Sequence, residues 1–229
     1  VSPIRLAIFD LDGVITSTTH EHFLGWKKMI ELQYGIDIPE SVESLVKGIS
    51  RAESYQRILT SLKLPMPLEK IFLQHLAQKN AIYLDLIDRF DESRILPGAK
   101  QLLSSLRQDG IQTALGSASR NAPKLLRSIG LADLFDHVVD PTTVPGKPNP
   151  GIFLAAMRHF GLTPGECVGF EDAPSGIEAI KAAGMIAVGI GNESLPGADF
   201  RFDSLADIVA ENYRHLFEDN HGLPSEIER

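Results

Sequence analysis

Apolar residues change their spacing along the chain, and each change marks a different kind of element. Ile4, Leu6, Ala7, Ile8 and Phe9 form a short, nearly continuous apolar run that stops at Asp10-Leu11-Asp12-Gly13. A run of this length closed by a turn signal reads as a buried strand. From Thr18 to about Leu84 the spacing becomes helical: Phe23, Trp26 and Ile30, then Tyr55, Ile58, Leu59 and Leu62, then Leu76, Tyr83, Leu84 and Ile87. Thr18 with Glu21, and Ser50 with Glu53, have capping-box spacing, which predicts helix starts near Thr19 and Arg51. No strand is expected in this block.

Beyond Pro97-Gly98, helix and strand patterns alternate. The expected elements are a helix over 98–108, a strand over 111–116, a helix over 122–129 and a strand near 137–139. A helix over 151–160, a strand over 167–170, a helix over 175–183 and a strand over 186–190 follow. This alternation specifies an α/β fold, a parallel sheet with helices on both faces. One strand before the helical block and several after it imply an insertion. The expected division is a discontinuous α/β core domain over 1–16 and 92–229, a helical cap domain over 17–91, and linkers near 14–18 and 88–96. The polar tail from Glu218 is expected to fray.

Composition narrows the function classes. With 43% hydrophobic and 23% charged residues the chain is globular in type. Its 22 Lys and Arg against 30 Asp and Glu give a net charge of −8, which argues against a nucleic-acid partner. Cys167 is the single cysteine, so neither an intrachain disulfide nor a thiolate zinc site is expected. No apolar run is long enough to span a membrane and the first residues do not resemble an export signal. A cytoplasmic monomer with no membrane partner is the expectation.

In an open parallel sheet, ligands bind beyond the carboxyl ends of the strands, so the chemistry is sought there. The first strand ends at Asp10 and Asp12, either turn formers or a pair of working carboxylates. The second ends in Ser117-Ala118-Ser119-Arg120-Asn121 ahead of a helix, which suits a phosphate cradle and equally an N-cap. Lys147 stands in a loop stiffened by Pro145 and Pro148; it is either a positioned cation or a solvated one, and the Walker glycine spacing is missing. Glu171 and Asp172 close another strand, as helix-dipole partners or as oxygen ligands for a hard divalent cation. Taken together, these four strand ends point to phosphoryl transfer: a carboxylate nucleophile, a second carboxylate, a serine, a lysine and a magnesium pair.

Asp10-Leu11-Asp12-Gly13, Ser117, Lys147 and Glu171-Asp172 resemble the four motifs of the haloacid dehalogenase superfamily, over nearly the whole chain. The resemblance implies that superfamily's Rossmann-like sheet with an inserted helical cap. It also implies that Asp10 is phosphorylated and Asp12 is the general acid and base. By the same resemblance Mg²⁺ is held by Asp10, the Asp12 carbonyl, Glu171 and Asp172, while Ser117 and Lys147 grip the transferring phosphate.

In the cap block, Thr16 to Phe23, Trp26, Lys47 to Arg51 and Lys79-Asn80 are similar to the β-phosphoglucomutase branch. That similarity implies substrate contacts at His22, Trp26, Lys47, Gly48, Arg51, Ser54 and Lys79, and a hinge at Thr18. It places Ser119, Arg120 and Asn121 near the phosphate that is not transferred. Ser17 and Arg120 depart from the branch, which often has Asp and Lys there. Read without the resemblance, Trp26 fits a core position and Lys79 a solvated charge. The implied activity is Mg²⁺-dependent interconversion of the sugar phosphates β-glucose 1-phosphate and glucose 6-phosphate through an aspartyl phosphate and a glucose 1,6-bisphosphate. A sugar-phosphate phosphatase of the same fold is the alternative, and a phosphorylated receiver-like switch is a third reading.

Overall fold

The computed structural model describes residues 3–46, 49–192, 194–211, 213 and 214. The expectations for Lys47, Gly48 and the tail from Glu218 lie outside the described residues. Six strands form one sheet: β1 (Leu6–Phe9), β2 (Gln112–Leu115), β3 (His137–Val138), β4 (Cys167–Glu171), β5 (Ile186–Ile190) and β6 (Phe200–Phe202). Their order is β3-β2-β1-β4-β5-β6 and every pairing is parallel.

The register places the chemistry. Phe9 lies opposite both Leu115 and Phe170, so the chain leaves β1, β2 and β4 at the same edge. The Asp10 N–H still donates to the Phe170 carbonyl at 2.9 Å and the Gly116 N–H to that of Phe9 at 2.8 Å. Asp10, Ser117, Glu171 and Asp172 therefore start from neighbouring points of a rigid edge.

Helices α1 (Thr19–Tyr34), α2 (Val42–Leu45), α3 (Arg51–Ser61) and α4 (Glu69–Ile87) follow β1. Helices α5 (Ala99–Gln108), α6 (Ala122–Ser128), α7 (Gly151–His159), α8 (Pro174–Ala182) and α9 (Leu205–Ala210) alternate with the remaining strands. Strand alternation sends Ala7 and Phe9 to one face and Leu6 and Ile8 to the other. The first face packs with Leu102, Leu103, Leu125 and Phe170, the second with Phe153, Ile177 and Ile180. Each large side chain buried there contributes about 1.5–3 kcal/mol. A separate apolar cluster joins Phe23, Trp26, Met29 and Ile30 of α1 to Tyr55, Ile58 and Leu59 of α3. Tyr83 and Ile87, from the last turns of α4, pack into the sheet's first core instead.

Where the chain leaves and re-enters the sheet layer, its two crossings are stitched together. Leu96 donates its N–H to the Ile15 carbonyl at 2.9 Å, and Thr16 Oγ1 donates to the Arg94 carbonyl at 2.7 Å. The expected capping box holds at Ser50, whose Oγ accepts the Glu53 N–H at 3.3 Å. It fails at Thr18, which makes no side-chain cap. There both partners are taken elsewhere, Thr18 by Asp12 and Glu21 by Arg94. The short β6 and α9 have no counterpart in the sequence pattern, because three and six residues are too few to show a period. Among the described residues no helix is long and apolar enough to cross a membrane.

Candidate active site

Asp10, Glu171 and Asp172 are all buried, and one carboxylate oxygen from each lies within 4.8 Å of the others. Two glycines make this crowding possible. A Cβ on Gly13, whose φ is +80°, would stand 1.9 Å from Asp172 Oδ2, and one on Gly176 would stand 1.9 Å from Glu171 Oε1. Lys147 Nζ, itself buried, bridges the cluster, donating to Asp10 Oδ1 at 2.5 Å and to Glu171 Oε1 at 2.6 Å. Glu171 Oε2 also accepts the N–H groups of Asp172 at 2.8 Å and Ala173 at 2.9 Å. Burial works against the Lys147 charge, but Asp10 and Glu171 outweigh it and hold the ammonium above its ordinary value. Burial pushes Glu171 up to about 7 despite Lys147, with Asp10 and Asp172 adding to the rise. Three buried carboxylates facing one cation, with oxygen the only donor type, fit a hard divalent ion.

Asp12 is held differently. Its Oδ1 accepts the Thr18 N–H at 2.7 Å and also the Thr18 hydroxyl. Burial raises its carboxyl to about 6, the Thr18 hydroxyl restrains the rise, and the Asp10 charge adds to it. A carboxyl in that range exchanges a proton near neutral pH, which is what a general acid and base requires.

Ser117 is buried at the end of β2 and its Oγ accepts the Ser119 N–H at 3.1 Å. Ser117, Ala118, Ser119 and Arg120 line one wall of a cavity of about 570 Å³ whose floor includes Asp10, Asp12, Glu171 and Asp172. Asn121 does not line it; its Nδ2 donates to Asn80 Oδ1 of α4 at 2.8 Å. Thr18 is likewise absent from the lining, because it sits behind Asp12.

The opposite wall comes from α1, α3 and α4: His22, Trp26, Arg51, Ser54 and Lys79, with Ile49, Phe72 and Leu76 as apolar panels. Lys79 overturns the reading of a solvated charge, being 1% exposed. Its Nζ lies 2.6 Å from His22 Nδ1 and about equally far from two aromatic rings, 5.0 Å from the Trp26 centroid and 4.8 Å from that of Tyr83. Burial first, then the Arg51 charge, lowers Lys79 to about 7, with Asp12 opposing. Burial, Lys79 and Arg51 keep His22 well below its usual value, so the ring is neutral and shares a hydrogen bond with the Lys79 amino group. Trp26 is both a core and a wall residue, stacked on Tyr55 at 5.6 Å between centroids. Ser54 is buried and donates to the Ser50 carbonyl at 2.9 Å. Burial and the Arg120 charge lower Arg51 from its ordinary value, as expected of two guanidinium groups facing one space.

Sequence reasoning missed Tyr83, which stacks on His22 at 4.0 Å and shields Lys79. Its helical spacing signals only a core position. His20 is exposed, with its ring 3.9 Å from Glu43. Cys167 is buried and donates to the Thr163 carbonyl, a packing role.

A family model described as haloacid dehalogenase-like hydrolase matches residues 4–184. The β-phosphoglucomutase of Bacillus subtilis is 42% identical over 214 residues, covering 91% of this chain and 93% of the relative. A phosphorylated carbohydrates phosphatase of Thermotoga maritima is 29% identical over 185 residues, covering 80% of this chain and 82% of its own. The crystal structure of β-phosphoglucomutase from Clostridium difficile superposes with a TM-score of 0.86 at 38% identity, covering 93% of this chain and 98% of that one.

Proposed function

The chain belongs to the haloacid dehalogenase-like hydrolase family, and on that premise we propose that it is a Mg²⁺-dependent β-phosphoglucomutase. In this reading it interconverts β-glucose 1-phosphate and glucose 6-phosphate through an aspartyl phosphate and glucose 1,6-bisphosphate. Residues 17–91 act as the cap over a core made of 1–16 and 92–229. The carrying observation is that Arg51 and Arg120 line the same cavity as Asp10 and Asp12. A phosphatase needs a grip on one phosphate, whereas a bisphosphate that must react from either end needs a second.

A carboxylate of Asp10 attacks phosphorus as the bond to the leaving oxygen breaks, and Asp12 gives its proton to that oxygen. In the return step a sugar hydroxyl attacks the phosphoryl group on Asp10 while Asp12 takes the hydroxyl proton. Thr18 keeps Asp12 at one position through both steps. Lys147 and the Ser117 hydroxyl stabilise charge on the equatorial oxygens. A magnesium ion held by Asp10, the Asp12 carbonyl, Glu171 and Asp172 would supply the neutralisation that lets a carboxylate and a phosphate meet. Opposite them, Arg51 and Arg120 with Ser119 grip the phosphate that stays, Asn121 ties that loop to Asn80, and His22, Trp26, Ser54 and Lys79 face the sugar. Lys47 and Gly48 are assigned to the substrate side with them.

Hydrolysis by the same core is the alternative, in keeping with the phosphatase among the relatives. Rapid acid quench after mixing with sugar bisphosphate and Mg²⁺, followed by peptide mass analysis, tests the shared first step. A phosphoryl group on the Asp10 peptide, absent in Asp10→Asn, is expected. Labelling that persists in Asp10→Asn overturns the assignment.

A further inference from the structure

We propose that Glu21 and Arg94 form a positioning pair that decides whether the phosphoryl group on Asp10 goes to a sugar hydroxyl or to water, an inference resting on the phosphomutase reading above. The two residues lie on opposite crossings of the chain between the sheet layer and the helical block. Arg94 donates to Glu21 Oε1 at 2.7 Å and, from the same Nη2, to the Ser17 carbonyl at 3.0 Å. Its guanidinium stacks over Phe90 at 4.1 Å, and its own carbonyl accepts from Thr16 Oγ1 at 2.7 Å. One residue thus ties together the segment 16–21 and the segment 90–94.

What this arrangement holds is the acid-base machinery. Ser17 precedes Thr18, whose N–H and hydroxyl fix Asp12, and Glu21 precedes His22, which pairs with Lys79 on the cavity wall. Glu21 is well buried, with a side chain 13% exposed, and its Oε2 has no hydrogen-bond partner. A carboxylate left half-satisfied in that setting depends on its one cationic partner, because removing a partner strands a desolvated charge. Loss of the pair therefore loosens the first turn of α1 and with it the seal of the cap wall over Asp10.

The competing acceptors use one chemistry. The bond from phosphorus to the Asp10 oxygen breaks, a bond to the acceptor oxygen forms, and the acceptor's proton passes to Asp12. A sugar hydroxyl yields a phosphate ester and water yields inorganic phosphate. Positioning by the cap favours the sugar, and misplacement by about 1 Å costs ~100-fold in such reactions.

The test measures, for wild type, Glu21→Gln, Arg94→Met and Arg94→Lys, the ratio of inorganic phosphate released to glucose 6-phosphate formed from β-glucose 1-phosphate, bisphosphate primer and Mg²⁺. Glu21→Gln and Arg94→Met should raise that ratio by roughly tenfold, with Arg94→Lys in between. Deuterium uptake at residues 14–18 and 94–96 should rise in the same order. Glu21→Gln is nearly isosteric and keeps the test open should Arg94→Met fold poorly. An unchanged ratio, or parallel loss of both products, overturns the positioning role. A wild type that releases phosphate and forms no glucose 6-phosphate overturns the phosphomutase reading instead.

Discussion

Lys79 Nζ and His22 Nδ1 meet at 2.6 Å in the cavity wall, close to the rings of Trp26 and Tyr83. An ammonium lowered to about 7 by burial is charged in mildly acid solution and largely neutral at pH 9. For an anionic substrate, kcat/KM should fall as pH rises through about 7, and Lys79→Met should lose that limb. The stability sign runs the same way as any depressed lysine. Between about 7 and 10.5 the unfolded chain binds more protons than the folded one, so stability should rise with pH across that window. The gain in wild type over Lys79→Met is on the order of a few kcal/mol. Urea unfolding at pH 6, 8 and 9.5 measures it, and parallel curves for the two proteins would refute the burial of this charge.

Asp12 and Asp10 should separate cleanly by kinetics. Asp10→Asn should abolish turnover, because an amide cannot accept the phosphoryl group. Asp12→Ala should lower kcat by ~10²–10⁴ with KM nearly unchanged, the signature of lost proton transfer. Thr18→Val should lower kcat by a smaller factor, since it removes the hydroxyl but leaves the Thr18 N–H on Asp12. Steady-state assays on the three variants check the order.

Gly176 tests the acidic cluster without touching a ligand. An added methyl would overlap Glu171 Oε1 at 1.9 Å and displace the carboxylate. Gly176→Ala should weaken Mg²⁺ binding by at least tenfold in isothermal titration calorimetry, in the range seen when ligand orientation is disturbed. Chelation of wild type should abolish activity, and Mg²⁺ should restore it. Full affinity in Gly176→Ala would show that Glu171 does not hold the ion.

Much of this site is legible in the sequence because Asp10, Ser117 and Glu171 each follow an apolar run, and the end of such a run in a parallel sheet is a fixed place. Strand ends need no tertiary information. Lys79 is the contrast: helical periodicity separates apolar from polar positions but cannot say which charge faces a neighbouring helix rather than water. Only the packing of α1 against α4 reveals that its ammonium is enclosed. Thr18 fails in a related way. Its spacing to Glu21 satisfies the local capping rule, yet both side chains find partners far along the chain or across the turn, and those tertiary bonds win. The short β6 escapes because Phe200-Arg201-Phe202 is too brief to define a period.

On the phosphomutase reading, the acceptor of the Asp10 phosphoryl group is a sugar hydroxyl. A coupled assay with β-glucose 1-phosphate, a catalytic amount of glucose 1,6-bisphosphate and Mg²⁺, reading glucose 6-phosphate and inorganic phosphate in the same sample, tests it most directly. Glucose 6-phosphate should accumulate far in excess of phosphate released. Rapid phosphate release with no glucose 6-phosphate would contradict the account.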